Sequence, residues 1–147
     1  MRPRWCLLVV VSFSAQQILN VCEDPRLREQ EWGNFMDPSI REQELIERNE
    51  VGHFFYRFRN GESGADVYDR CTLFLDTLFR KLNTGYFLSD NILIVSHGLF
   101  MSLFCMRYFR LTAEKHRRLK DFDNCEYCIL ERNRKTGSYE LKTQIIE

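Results

Sequence analysis

The residues Ser96-His97-Gly98 stand between a short apolar run, residues 92–95, and residues that recur at helical spacing. A histidine at the carboxyl end of a strand, beside a helix start, occupies the place where open α/β sheets bind ligands. The first N–H groups of a helix have no partner inside the helix, so they suit an anion such as phosphate. The stretch therefore predicts either an anion site or a core histidine that hydrogen-bonds a backbone carbonyl.

The elements that must position this stretch are helices that alternate with strands. A helix is predicted from Ser63, where Asp66 three residues later forms a capping box. Its apolar residues recur as one stripe from Val67 to Leu82, and Arg70 is assigned outside that stripe. A polar helix is predicted over residues 40–50, and strands over 125–131 and 139–146 are joined by a hairpin loop, residues 133–138. The run 92–95 is apolar throughout, which predicts a strand buried on both faces.

Composition limits the function classes. The chain has 147 residues, of which 44% are hydrophobic, and 21 Lys plus Arg balance 21 Asp plus Glu. These values predict one globular domain and give no charge-driven affinity for nucleic acid or for a membrane surface. The six cysteines are scattered, which favours reduced thiols in an intracellular protein. Cys125 and Cys128 form a C-x-x-C on a predicted strand, but no second pair completes a zinc site.

The N-terminal segment, residues 1–22, has two interpretations. Residues 5–11 are apolar and follow two arginines, which fits a secretory signal peptide ending near Ala15. The same residues fit a buried strand that leads into a helix over residues 16–19. Cleavage at Ala15 would leave five cysteines, an odd number, so the strand and a cytoplasmic location are favoured over secretion. Residues 23–147 are predicted to form the main domain.

Two separated motifs carry a family resemblance. Residues 27–35, Leu-Arg-Glu-Gln-Glu-Trp-Gly-Asn-Phe, resemble the acid-bearing loop of the histidine phosphatase superfamily, the phosphoglycerate-mutase-like group. Residues 95–98, Val-Ser-His-Gly, resemble its second histidine motif, and residues 60–70 and 124–126 resemble its phosphatase-like branch. The resemblance implies an α/β three-layer sandwich with a mixed, mostly parallel sheet, shortened at its N-terminus. It covers approximately residues 24–141.

The family's chemistry assigns roles by motif. A first histidine attacks the phosphoryl group, a glutamate protonates the leaving oxygen, and water hydrolyses the phosphohistidine. The resemblance implies that Glu29 is the proton donor and that His97 is the second histidine, which stabilises the phosphoryl charge with the N–H of Gly98. It implies no metal and no other cofactor. The partner implied is phosphate or a phosphorylated small molecule, without nucleic acid or membrane, and no protein partner is indicated.

The sequence also departs from the family. The nucleophile belongs to an Arg-His-Gly motif, and the three histidines here, His53, His97 and His116, do not stand in that context. An aromatic stretch with basic residues, residues 52–61, is expected to form a lid or wall that folds back on the core. The leading hypothesis is a phosphomonoester-directed histidine phosphatase domain that is weakly active or inactive. The alternative is a non-enzymatic phosphate-binding or protein-interaction module.

Overall fold

The computed structural model describes residues 10–13, 20–87, 91–120, 122–123 and 125–143. Within them the chain forms five strands and four α-helices, with two 3-10 helices, Pro25–Leu27 and Gly33–Met36, before the first α-helix. In chain order the named elements are β1 (Val10–Phe13), β2 (Asn20–Cys22), α1 (Pro38–Val51), α2 (Gly64–Asn83), β3 (Asn91–Ile94), α3 (Gly98–Tyr108), α4 (Ala113–Arg118), β4 (Leu130–Arg132) and β5 (Tyr139–Leu141). The mixed α/β class expected from the sequence is confirmed.

Helix α2 begins as its sequence predicts. The Asp66 N–H donates to Ser63 Oγ at 3.2 Å, and the Ser63 N–H donates to the Asp66 carboxylate at 2.7 Å. This reciprocal pair is the predicted capping box, and it satisfies two backbone donors at the helix start. The apolar stripe of α2 then packs on α3, and these two helices make the most extensive contact between elements in the described residues.

The core lies between α2 and α3. Its buried members come from these two helices and from the segment before α1: Leu27, Val67, Cys71, Phe74, Leu75, Leu78, Phe100, Leu103, Phe104, Cys105 and Met106. Leu27 is 0% exposed although it belongs to a loop segment. Burying that side chain anchors the loop to the core, and the candidate acid Glu29 follows two residues later.

The strands pair differently from the expectation of a mostly parallel sheet. In the described residues, the sheet β2-β1-β3 and the hairpin β4-β5 contain antiparallel pairs only. Residues 14–19 connect β1 to β2, and a parallel pair needs a crossover of roughly a dozen residues or more. The chain length between these strands therefore favours the antiparallel arrangement.

The prediction that residues 92–95 are buried on both faces is wrong. Along β3 the side chains alternate: Ile92 and Ile94 pack against the core, whereas Leu93 is 46% exposed. Successive side chains of a strand point to opposite faces, and the helices described here cover one face of this sheet. An all-apolar sequence does not by itself show that both faces are covered.

The remaining strand predictions concern the N-terminal segment and the C-terminal hairpin. Strand β1 overlaps the end of the strand expected over residues 5–11, while residues 1–9 and 14–19, including the predicted helix and signal-peptide alternative, lie outside the described residues. The strand expected over 125–131 is wrong for residues 125–129: Cys125 has φ 63°, and β4 begins at Leu130. The hairpin is confirmed, with the Asn133 N–H donating to the Ser138 carbonyl at 2.8 Å.

In the part of the chain that the structure describes, no helix is both long and apolar enough to cross a membrane.

Candidate active site

The acid loop, defined here as residues 24–31, is fixed to α2 by arginine side chains. Asp24 begins the loop by accepting the Arg26 N–H at 3.0 Å, which caps the first 3-10 helix. The Arg26 guanidinium then donates to the Leu73 carbonyl and to Thr77 Oγ1, both at 2.9 Å. The start of the loop is thereby tied to the middle of α2.

Arg70 holds the part of the loop that carries the acid. Its Nη1 donates to the carbonyls of Arg26 and Arg28, at 2.6 and 2.7 Å, and its Nη2 donates to the Glu29 carbonyl at 3.1 Å. The guanidinium also lies over the Phe100 ring, 5.6 Å from its centroid. Arg70 is 8% exposed, and this one buried cation satisfies the hydrogen-bonding capacity of three loop carbonyls.

Glu62 completes this arrangement. Its two carboxylate oxygens accept from Arg70 Nε and Nη2, each at 3.1 Å, and from the Glu31 N–H at 3.0 Å. Arg28 donates to the same carboxylate, and Gln30 Nε2 donates to the Glu62 carbonyl at 2.6 Å. Burial alone would raise the pKa of Glu62, but the hydrogen bonds from Arg70 and Glu31 and the nearby arginine charges lower it below its usual range. Glu62 is therefore a fixed anion between the loop and α2.

The second predicted motif meets the loop at the start of α3. Ser96 Oγ donates to the Leu27 carbonyl at 2.7 Å, which joins the end of β3 to the acid loop. His97 is the N-cap residue of α3 in an extended conformation, and its carbonyl accepts the Met101 N–H at 2.9 Å. Its imidazole makes no capping hydrogen bond. The His97 ring therefore does not cap the helix.

The Glu29 carboxyl group lies at this same helix start. It accepts the Gln30 N–H at 2.9 Å. Burial raises the pKa of Glu29, against the lowering effect of the Gln30 N–H, the nearby His97, the Leu99 N–H in the first turn of α3, and Arg70. The structure therefore places the Glu29 carboxyl group within electrostatic range of His97 and of the start of α3.

Gly98 has a packing reason to be glycine. A Cβ at this position would lie 2.8 Å from the Phe122 carbonyl oxygen, closer than real Cβ contacts come. The segment after α4 can pass over the helix start only because Gly98 has no side chain. This steric role exists beside the phosphate-binding role that the motif implies for its N–H.

The aromatic segment, residues 52–61, packs next to the acid loop. Phe58 is 1% exposed, and its ring centroid lies 5.0 Å from that of Trp32 and 5.2 Å from that of Phe35. Tyr56 is also buried, with its ring centroid 5.3 Å from that of Phe58. These rings form one cluster with the residues that follow the acid loop, so the segment stiffens the loop from outside.

The other two histidines serve different contacts. His53 Nε2 lies 3.2 Å from Asn49 Oδ1 on α1, and His116 Nε2 lies 2.9 Å from Ser102 Oγ on α3. Neither contact involves Glu29. In the described residues there is also no cluster of histidine, cysteine and carboxylate side chains that could hold a metal ion.

The C-terminal end of α3 lines a cavity. This cavity of about 300 Å³ lies between the ends of α2 and α3 and the β4-β5 hairpin, lined in part by Phe79, Tyr108 and Tyr139. Beside this helix, interaction with the Cys105 thiol lowers the pKa of Cys128, although burial opposes this. The C-x-x-C does not pair internally: both of its cysteines are free, and Cys125 is exposed. This cavity is at the opposite end of α3 from Glu29 and His97.

Sequence reasoning missed Arg70 as a residue of the site. It was assigned outside the apolar stripe of α2, yet it is buried and supports Glu29. A signal was present: Arg70 stands three residues after Val67 and four before Phe74, the spacing of one helix face. A charged residue on the buried face of a helix indicates a polar partner inside the fold.

The sequence matches one family model and several individual proteins. The sequence model of the histidine phosphatase superfamily (branch 1) matches residues 10–144. Two phosphoglycerate mutase-like proteins of Arabidopsis thaliana are 39% identical over 124 residues and 36% identical over 135 residues. A broad-range acid phosphatase of Saccharomyces cerevisiae is 36% identical over 125 residues.

The coverage of these matches is uneven. They include 81%, 88% and 84% of this chain but 44%, 42% and 37% of the respective relatives. The chain therefore spans less than half the length of the curated relatives that it matches. No solved structure matches the chain.

Proposed function

Because this chain belongs to the histidine phosphatase superfamily, we propose that its acid loop and the start of α3 form the acid half of a phosphomonoesterase or mutase site. One observation carries the proposal: the half-buried Glu29 carboxyl lies close enough to His97, the N-cap residue of α3, for His97 to lower its pKa. Both residues stand in the motifs to which the family resemblance assigns the acid and the second histidine.

The geometry suits Glu29 as a proton donor. A general acid must hold its proton at the pH of reaction, and burial raises the pKa of Glu29 in the required direction. The proton would pass from the Glu29 carboxyl group to the oxygen that leaves phosphorus. Arg70 acts here as a positioning residue, since it holds the Glu29 backbone through the carbonyl oxygen.

His97 and Gly98 are proposed to receive the phosphoryl group. The His97 imidazole can donate to a phosphoryl oxygen, and the Gly98 N–H belongs to the first turn of α3, where the helix dipole favours negative charge. These donors would stabilise the charge that builds on the phosphoryl oxygens in the transition state. The substrate class that follows is phosphomonoesters, with free phosphate as product, and the location proposed is cytoplasmic.

The attacking group is the missing part. The family's reaction needs a histidine in an Arg-His-Gly context, and His53, His97 and His116 are not in such a context. Removing the nucleophile from a protease site costs on the order of 10⁶-fold in rate. We therefore propose weak or no phosphatase activity for these 147 residues. The three-layer sandwich that the family resemblance implies stays a prediction.

The test is phosphate release from an aryl phosphate by the purified chain, beside the variants His97→Ala, Glu29→Gln and His53→Ala. We expect all four proteins to release phosphate at the same low rate. Ordinary enzyme turnover that disappears in His97→Ala and Glu29→Gln, but persists in His53→Ala, would contradict the inactive state while supporting the site.

A phosphate-binding module is the second candidate, favoured by a His97 ring that makes no capping bond. Phosphate should then raise the thermal midpoint of the chain and of His53→Ala, but not of His97→Ala. Saturating ligand at about 100 times its dissociation constant adds about 2.7 kcal/mol of stability, which such a measurement detects. An unchanged midpoint for the unmodified chain would exclude this function.

A further inference from the structure

The cavity at the C-terminal end of α3 has one wall made of aromatic rings. The rings of Phe79 and Tyr108 are stacked, with centroids 5.9 Å apart and planes 25° apart, and the Tyr139 ring centroid lies 6.1 Å from that of Phe79. These three residues, called here the aromatic wall, line a cavity of about 300 Å³. That volume is at the lower end of the range for small-molecule sites, so it suits a ligand with a single ring.

The pairing of the β4-β5 hairpin decides which charged groups reach this cavity. Arg132 pairs directly with Tyr139, and directly paired residues have their side chains on the same face. Glu131 pairs with Glu140, so these two carboxylates lie on the opposite face, where Lys142 pairs with them at 3.6 and 3.2 Å. The alternation therefore places Arg132 at the cavity and directs the acidic side chains of the hairpin away from it.

Arg132 gives the cavity a positive charge that no acid neutralises. It is the one charged side chain among the described residues that line the cavity, and within those described residues it has no hydrogen bond or ion pair. Asn83, the last residue of α2, lines the same cavity, and its side-chain amide is a further donor. The cavity therefore combines apolar ring faces with two groups that donate hydrogen bonds to an anion.

The two sides of the cavity are tied together by the protein itself. Tyr108 Oη donates to the Tyr139 carbonyl and accepts the Tyr139 N–H, both at 3.0 Å. These bonds join the end of α3 to the strand that carries Tyr139. The aromatic wall therefore has a defined position before any ligand arrives, as is usual for small-molecule sites.

We propose that this cavity binds a small aromatic carboxylate, an acid that carries a single ring. The ring lies against the aromatic wall in one of the offset or edge-on arrangements that aromatic groups prefer. The carboxylate accepts from the Arg132 guanidinium, whose planar fork matches two carboxylate oxygens, and from the Asn83 amide. Because the cavity is at the opposite end of α3 from Glu29 and His97, the inference does not depend on the proposed function.

The test measures where a one-ring acid binds to the purified chain. Titration of the isotope-labelled chain with phenylacetate, followed by amide chemical shifts, locates the site and measures affinity in the millimolar range expected for such a small ligand. Three related ligands separate the contributions. Cyclohexylacetate keeps the carboxylate and loses the aromatic ring, phenylacetamide keeps the ring and loses the charge, and phenethylamine reverses the charge.

Two pairs of variants test the protein side of the contact. Arg132→Gln removes the cation from the cavity, and Arg134→Gln is its matched control, because Arg134 is an exposed arginine of the same hairpin that does not line the cavity. Phe79→Leu removes one ring of the aromatic wall, and Phe55→Leu changes a ring that is 63% exposed elsewhere on the surface. Thermal midpoints verify folding, and the exposed Arg132 keeps the test valid if Phe79→Leu destabilises the chain.

We expect phenylacetate to shift the amide signals of Gly137 and Tyr139 and to leave those of the acid loop unchanged. Arg132→Gln should weaken phenylacetate binding about fivefold, the value of one exposed ion pair, and phenylacetamide should bind the unmodified chain about fivefold more weakly than phenylacetate. Phe79→Leu and the exchange of phenylacetate for cyclohexylacetate should each weaken binding about threefold through the lost ring contact. Both control variants should keep the full affinity.

Four other outcomes overturn the inference. Unchanged signals at the two hairpin amides exclude the cavity as the site. Equal affinity for phenylacetamide, or equal losses in Arg132→Gln and Arg134→Gln, excludes recognition of the carboxylate by Arg132. Preference for phenethylamine makes the cavity a cation site, consistent with the negative dipole ends of α2 and α3. Shifts of the same amides by orthophosphate indicate an anion site without selection for a ring. None of these outcomes affects the acid loop, so the proposed function is tested separately.

Discussion

The two ends of α3 are held by different chemistry. At its N-terminus the helix lies beside an acid loop that charged groups hold in place. Arg70 of α2 donates to three loop carbonyls, pairs with Glu62 and lies over the Phe100 ring of α3. Near its C-terminus α3 meets the β4-β5 hairpin through neutral groups, with Tyr108 Oη donating to the Tyr139 carbonyl and accepting the Tyr139 N–H, both at 3.0 Å.

The difference shows which part of the fold is held in a fixed position. Charge-assisted hydrogen bonds are shorter and about twice as strong as neutral ones, and the bidentate ones also fix orientation. A buried arginine that donates to several carbonyls leaves the Glu29 backbone little freedom. The hairpin end is attached more weakly, and nothing in the proposed chemistry requires it to be fixed. The charged end should therefore be costly to disrupt and sensitive to pH, and the neutral end should be neither.

The largest effect is expected from Arg70→Met. Removing one partner of a buried charged pair leaves the Glu62 carboxylate and loop carbonyls without a donor, which costs about 3–5 kcal/mol. Urea denaturation should show this loss in the free energy of unfolding. The control Arg80→Met changes an exposed arginine of the same helix and should cost less than about 0.5 kcal/mol. Similar losses in the two variants would contradict the central role of Arg70.

A smaller effect is expected from Tyr108→Phe at the neutral end. The change removes one hydroxyl that serves as donor and acceptor for Tyr139, so it should cost about 1–2 kcal/mol by the same denaturation measurement. Tyr127→Phe is the matched control, because Tyr127 is 69% exposed. If Tyr108→Phe cost as much as Arg70→Met, the contrast between the two ends would be lost.

The smallest effect concerns Glu29→Gln and its dependence on pH. Since burial raises the pKa of Glu29, the folded chain binds this proton more tightly than the unfolded chain. Glu29 therefore favours the folded state at low pH, and this contribution falls as pH rises from the unfolded pKa through the folded one.

Glutamine stays neutral, so the stability of Glu29→Gln relative to the unmodified chain should increase as pH rises above the ordinary pKa of a glutamate, about 4. Thermal midpoints at pH values below and above this pKa measure the difference. Tyr108→Phe provides the comparison from the neutral end and should differ from the unmodified chain by the same amount at every pH. A constant difference for Glu29→Gln would show that burial does not perturb this carboxyl.

Features with local causes could be predicted from the sequence. The α2 start follows from Ser63 and Asp66, three residues apart, and the hairpin loop follows from its turn residues. The order of the two family motifs also indicates Glu29 and His97 as candidate partners. These inferences need only neighbouring residues or the spacing of family motifs along the chain.

Features with distant causes could not be predicted. The role of Arg70 depends on carbonyls 41 to 44 residues away, which helical periodicity does not report. The exposure of Leu93 depends on what covers the second face of the sheet. The antiparallel pairing of β1 with β3 depends on how elements far apart in the chain meet, and composition alone contains no such information.

The hydrogen bond from Ser96 to the Leu27 carbonyl has a consequence for folding order. It joins residues 69 positions apart, and the contacts of Arg70 with the loop also span more than 40 positions. Contacts of such high sequence separation require the closure of long loops, so they form after local helices and turns in most folding pathways. Glu29 is therefore synthesised before Ser96 but becomes ordered only after Ser96 has bound the loop. During synthesis on the ribosome, the acid loop should stay accessible to proteases until α3 has emerged and docked.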